Sequence, residues 1–211
     1  MQTSEFIGFL RDNHMPVFSV KDATKILRKP KEYTWLFLNR CVKQNKVGRV
    51  QRGLYYLKER SNEYEVASSI VAPSYISLVS ALAYYGFTTQ IPNMVYVVST
   101  KRHRAVRDVM GYDILFKHIS KGMMFGYHKE ANGKISIADP EKAIVDIYYF
   151  NDVNDLDETM LDKPSRIDVG RLAEYALMSG RKTVISRTAE LLAEHGYKKE
   201  ARLLSQAGMA K

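Results

Sequence analysis

One cysteine, one tryptophan and no apolar run near the length of a membrane span set the first limits on these 211 residues. A lone thiol, Cys41, makes neither an intrachain disulfide nor a multi-cysteine zinc site, which fits a reducing, cytoplasmic setting. A bilayer span needs ~20 consecutive apolar residues, and no such stretch occurs. The opening MQTSEFIGFLRDNH lacks a charged n-region followed by an apolar core, so it does not read as a signal peptide. The five histidines (His14, His103, His118, His128, His195) have no HxxxH-type ligand spacing. There is no Gly-rich phosphate loop and no GxSxG elbow. No catalytic residue, metal or cofactor is therefore assigned, and the chain is expected not to be an enzyme.

Positive charge is present, and it is unevenly placed. Residues 1–60 hold 13 Lys and Arg against 5 Asp and Glu, a net of +8, whereas residues 61–211 hold 19 against 18, a net of +1. Cation contacts to phosphate release condensed counterions and supply affinity for nucleic acid, so a segregated excess of this kind marks a DNA-binding module. It lies on a compact segment and not on one amphipathic helix, so no membrane partner is expected.

The basic segment has a recognisable layout. Ser19 is placed to cap a helix over Val20–Arg28, with Asp22 in its first turn where a carboxylate favours the helix dipole. Lys29-Pro30-Lys31 breaks that helix. A second helix runs over Glu32–Gln44, with Trp35, Leu38 and Val42 toward the core and Cys41 beside them. Val47–Val50 and Leu54–Leu57, separated by Gln51-Arg52-Gly53, read as a hairpin. Ser4–Asp12 forms a helix through Phe6, Phe9 and Leu10, packed on Ile26, Leu27, Leu38 and Val42. Met15–Phe18 adds a short strand against the hairpin. The expected fold class is α+β: an N-terminal winged helix-turn-helix over residues 1–60, its second helix placed to enter a major groove. A mixed α/β domain over 61–211 follows, with a helical tail from about 165.

In that second part Lys58–Asn62 is a polar connector. Glu63–Ala72 reads as a helix ended by Pro73, and Ser77–Tyr85 as a helix closed by Gly86. Met94–Ser99 and Tyr112–Ile119 read as strands. Phe125–Glu130 and Lys134–Ala138 flank an Asn132-Gly133 turn. Asp139-Pro140-Glu141 starts a helix reaching Phe150, with Ala143, Ile144, Ile147 and Tyr148 inward. Asn151–Asp162 carries Asp152, Asp155, Asp157, Glu158 and Asp162 and reads as a solvated loop. Val169–Leu177, Thr183–Glu194 and Tyr197–Gln206 form the tail helices.

For DNA contact the candidates on the second helix are Lys31, Tyr33, Thr34, Arg40, Lys43 and Gln44, with Leu36 and Phe37 as packing residues, both buried or one of them exposed. Arg40 has the fork that matches guanine O6 and N7. On the wing, Arg49 and Arg52 flank the turn, within reach of phosphate or the minor groove. Lys101, Arg102, Arg104 and Arg107, around His103, make a second basic patch that either extends the footprint, meets an acidic partner, or is a solvated loop. Asp139, Glu141, Lys142 and Asp146 have the composition of a nuclease carboxylate–lysine set. The spacing favours helix capping for the first two and an exposed i, i+4 pair, worth a few tenths of a kcal/mol, for Lys142 and Asp146.

A basic module ending in GRVQRGLYYL is followed by SYISLVSALAYYGFTTQIP, the strand VYVVST and ISIADPEKAIVDIYYF. This order resembles the AbiEi-like antitoxins of the abortive-infection AbiE type IV toxin–antitoxin systems over about residues 5–150. Ser74–Gly86 and Ala138–Asp146 (ADPEKAIVD) are the most specific pieces. The resemblance implies an N-terminal winged helix that binds inverted repeats in its own promoter and represses the operon. It implies a C-terminal domain that counters a nucleotidyltransferase toxin, without direct contact being assumed. The rival reading is a ligand-responsive regulator whose second domain senses a small molecule and has no toxin partner.

Overall fold

The structure, a computed structural model, describes residues 1–88, 93–130, 133–153 and 167–209. Asn132 of the expected turn, and Asp155, Asp157, Glu158 and Asp162 of the acidic stretch, lie outside the described residues, as do residues 89–92. The chain is a mixed α+β protein. Among the described residues no helix is long and apolar enough to cross a membrane.

The basic half begins with α1 (Thr3–Asp12), whose inward residues are Phe6, Ile7 and Leu10. Phe9, expected in the core, stays exposed, because Ile7 takes the inward place beside Phe6. β1 (Val17–Ser19) leads into α2 (Val20–Leu27), and the helix stops one residue before the expected end. Arg28 adopts a left-handed conformation there (φ 52°) and its N–H returns to the Thr24 carbonyl. Pro30 then precedes α3 (Lys31–Lys43) as its N-cap, its fixed φ suited to entering a helix. β2 (Val47–Gln51) and β3 (Leu54–Leu57) form the expected antiparallel hairpin with Gly53 at positive φ in its turn, and the sheet order is β1-β3-β2.

The inward stripe of α3 is Thr34, Phe37, Leu38 and Cys41, the i, i+3, i+4, i+7 set. Trp35 and Val42 sit at its margins, partly buried, so the helix is rotated from the expected Trp35–Leu38–Val42 face. Aromatic packing accounts for the rotation. Phe37 meets Phe6 edge-on at 5.2 Å, and Phe6 meets Phe18 at 5.7 Å. Leu36, read as packing, is 68% exposed.

The second half contains α4 (Glu63–Ser68), β4 (Ser74–Ile76), α5 (Leu78–Tyr84), β5 (Met94–Ser99), β6 (Val106–Val109), β7 (Tyr112–His118), β8 (Tyr127–Glu130) and β9 (Ile135–Ala138). Four helices follow: α6 (Pro140–Phe150), α7 (Val169–Met178), α8 (Lys182–Glu194) and α9 (Lys198–Met209). Its six strands form one sheet in the order β6-β7-β5-β4-β9-β8. β5 with β7 and β4 with β9 are parallel; the other pairs are antiparallel. α5 and α6 pack on each other and on β5 and β9, and α7 and α8 pack on α6.

Two expectations for this half are corrected. α4 ends at Ser68 and not at Ala72, because the chain must straighten to supply β4, which pairs on both edges. β6 was unanticipated, since Val-Arg-Asp-Val reads as loop, yet it pairs with β7 at the edge of the sheet, where charged side chains face water.

The hairpin joins the two halves. Successive strand residues point to opposite faces. Val47, Tyr55 and Leu57 therefore enter a core with α1–α3, while Val50 and Tyr56 enter the large core of the second half. Gly48 makes this possible: its Cα lies against the ring of Tyr56, where a Cβ would overlap it.

Candidate nucleic-acid interface

The candidate interface lies where α2, the start of α3 and the hairpin turn meet. Ser19 Oγ accepts the Asp22 N–H (3.2 Å) while the Asp22 carboxylate accepts from Ser19 N–H (2.9 Å) and Oγ–H (2.6 Å), a reciprocal capping box. Burial works to raise the Asp22 carboxyl, but the hydrogen bonds from Ser19 and the charge of Lys25 outweigh it and hold it below the ordinary value. Val20 N–H donates to the Gly53 carbonyl at 2.9 Å, so the start of α2 is tied to the hairpin turn. Thr34, buried on α3, donates its hydroxyl to the Pro30 carbonyl at 3.1 Å, and Thr24 of α2 bonds it at 3.4 Å, so α2 and α3 are locked together.

These ties leave an open groove of about 660 Å³ lined by Ser19, Val20, Lys21, Thr24, Lys25, Lys31, Trp35, Arg52 and Gly53. Four of the lining residues are cationic and none is acidic. The ion pairs within residues 1–60 are those of the N-terminus with Glu5 and of Arg11 with Glu59. The groove cations are thus available to an anion.

The structure divides the sequence-derived candidates. Lys31 and Arg52 line the groove. Tyr33, Arg40 and Gln44 lie on the other flank of α3, in a recess closed by Met1–Ser4 and Phe37. Lys43 stands exposed between the two flanks, and Arg49 is exposed on β2 opposite Tyr55. Thr34 is corrected: its side chain is 0% exposed and engaged inside the helix pair, so it presents nothing to a groove of DNA. Lys21 and Lys25 were missed. They are exposed on α2, one turn apart, and charge counting alone could have found them. Glu32 and Asn39 were not among the candidates, although projecting α3 at about 100° per residue puts them, with Leu36 and Lys43, opposite the buried stripe.

The second basic patch is partly taken up. Arg107, on β6, is ion-paired with Asp113, and the His103 ring packs on Phe116 at 4.4 Å. Lys101, Arg102 and Arg104 remain exposed. Because β6 lies against β2, this loop approaches the hairpin side of the molecule.

The carboxylate–lysine set of α6 is structural in its contacts. Asp139 occupies the N-cap position without capping; its carboxylate instead binds His128 Nδ1 (2.7 Å) and accepts the Tyr175 hydroxyl (2.9 Å). Glu141 is buried and accepts the Asp168 N–H at 2.7 Å. Lys142 and Asp146 are ion-paired, which corrects the exposed-pair reading: both side chains are 0% exposed, because the second half packs around every side of this stretch of α6. Among the described residues no group of three His, Cys, Asp or Glu is placed to hold a metal.

No protein-family model and no curated protein matches the chain.

Proposed function

We propose that the chain is a DNA-binding antitoxin and repressor: α1–α3 with the β2–β3 hairpin act as a winged helix, and the second half counters a nucleotidyltransferase toxin. The observation that carries the DNA reading is the groove between α2, α3 and the hairpin turn, with Lys21, Lys25, Lys31 and Arg52 on its lining and no carboxylate. A phosphate backbone is the ligand that such a row of free cations favours. α3 then lies in the major groove and Arg49 and Arg52 follow the flanking backbone. Two protomers on an inverted repeat would place two such helices on one face of the duplex and repress by occupancy.

The antitoxin half of the reading rests on the resemblance of Ser74–Gly86 and Ala138–Asp146 to AbiEi-like antitoxins. Those two stretches touch: Tyr75 and Ser77 from the first donate to Asp146 of the second, at 3.0 and 2.7 Å. One packed unit is what a shared role for the two stretches requires.

Two measurements test the reading. Anisotropy titration of the full chain with a labelled duplex should show affinity falling linearly on a log–log plot against salt, and Lys21→Ala with Lys25→Ala should reduce that slope. A salt-independent affinity rejects the DNA role. Growth of cells expressing an AbiE-type nucleotidyltransferase should be restored by the full chain. Continued arrest beside an intact promoter shift would leave a repressor without antitoxin activity.

A further inference from the structure

Cations position a helix on DNA, but base edges are read by the residues on its outermost side. On α3 those are Glu32, Leu36, Asn39 and Lys43, spaced i, i+4, i+7, i+11 and all exposed. Leu36, at 68% exposure, is the most exposed large apolar side chain among the described residues. Its neighbours on the helix surface are Glu32, Tyr33, Asn39 and Arg40, and of these only Tyr33, 44% exposed and stacked on Phe37 at 6.4 Å, carries apolar surface. A leucine beside one partly exposed ring makes no apolar patch of the size a protein partner would dock on. An exposed isobutyl group beside Arg40, on a segment of net charge +8, fits a different surface, the thymine 5-methyl group that lines the major groove.

We infer that Leu36 and Asn39 make α3 a reader of A·T base pairs. Leu36 covers the thymine methyl, and the Asn39 carboxamide accepts from adenine N6–H and donates to N7. The two residues are three apart, about 4.5 Å along the helix axis. That is close to the ~3.4 Å spacing of successive base pairs, so they address the same or adjacent pairs. The inference rests on the DNA-binding reading above. It concerns which bases are read, and it adds two residues that carry no charge and that a phosphate argument does not reach.

The test starts from a duplex selected by the full chain out of a random-sequence pool. That duplex is resynthesised with deoxyuridine for thymidine, or with 7-deazaadenine for adenine, and affinities are measured by anisotropy. Wild-type protein should bind the deoxyuridine duplex about fourfold more weakly per contacted methyl. Leu36→Ala, a change at an exposed position that leaves the core untouched, should bind the two duplexes equally. Asn39→Ala should lose the discrimination against 7-deazaadenine that wild type shows. Equal wild-type affinity for thymidine and deoxyuridine duplexes, or a selected site without A·T pairs, overturns the inference while leaving DNA binding intact. A chain that enriches no sequence and shows no salt-dependent binding overturns the DNA reading itself, and the inference with it.

Discussion

Lys142 and Asp146 stand one turn apart on α6, ion-paired and both 0% exposed. Asp146 also accepts from Tyr75 and Ser77, and the Lys142 ammonium lies 4.9 Å from the Phe125 ring centroid and 5.3 Å from that of Tyr75. Burial pushes the lysine down and the carboxyl up, each partner pulling the other back toward its charged form. The pair therefore ties the start of the second sheet to its central helix, and it joins Ser74–Gly86 to Ala138–Asp146.

Removing one partner should cost far more than removing both. Asp146→Asn leaves a buried ammonium without its counter-charge and Lys142→Met leaves a buried carboxylate with only two donors, so each should destabilise by about 3–5 kcal/mol. Lys142→Met with Asp146→Asn removes both charges, and its loss should fall well below the sum of the two single losses in a denaturant double-mutant cycle. Additive losses would show that the two side chains do not depend on each other.

This pair also marks the limit of what spacing reveals. An i, i+4 lysine–aspartate pair looks the same on an exposed face and in a core; the partners that decide, Tyr75 and Ser77, are about 70 residues away in the chain. Features decided locally were readable. The Ser19–Asp22 cap, the Gly53 turn, the β8–β9 hairpin and the start of α6 at Pro140 all rest on neighbours within a few residues. β4 was not, because three residues become a strand only when β5 and β9 bond it from both sides. For the candidate interface, the cation count pointed to the segment where the groove with four cationic lining residues lies. The groove lies where the bond from Val20 to Gly53 ties the start of α2 to the hairpin turn, a contact between residues far apart in the chain.

Gly48→Ala should loosen the junction of the two halves. The added methyl overlaps the Tyr56 ring, which with Val50 is the hairpin's contribution to the larger core. Overpacking of this kind costs about 1–3 kcal/mol. Thermal melts should show the loss, and combining it with Tyr56→Leu should recover part of it. A variant as stable as wild type would mean that the ring moves aside freely.

His128 should make stability depend on pH. Burial lowers its affinity for a proton, but hydrogen bonds to Glu130 and Asp139 outweigh that, so its folded-state pKa is raised. A raised histidine contributes stability that is fully present below its unfolded value of ~6.5 and fades as pH rises through the folded one. The melting-temperature gap between wild type and His128→Gln should therefore be widest near pH 6 and narrow toward pH 8.5. The ring is 43% exposed, so the gap should be small and shrink in high salt. A gap that widens with pH would reverse the sign and reject the ion pairs with Asp139 and Glu130.

The hairpin cations should behave as phosphate contacts. Arg49 and Arg52 are exposed, one on β2 and one in the turn, and neither is in an ion pair among the described residues. Arg49→Ala with Arg52→Ala should weaken binding to specific and random duplexes alike. The slope of log affinity against log salt should fall by about 1.8, two contacts at ~0.9 each. Arg40→Ala should instead act at one base pair, relaxing its preference by about 1–3 kcal/mol while the slope changes by no more than one contact. If the double variant keeps the wild-type slope, the hairpin stands off the duplex and α3 binds without a wing. If Arg40→Ala weakens all sequences equally, it too is a phosphate contact, and base reading falls to the Leu36–Asn39 side of α3.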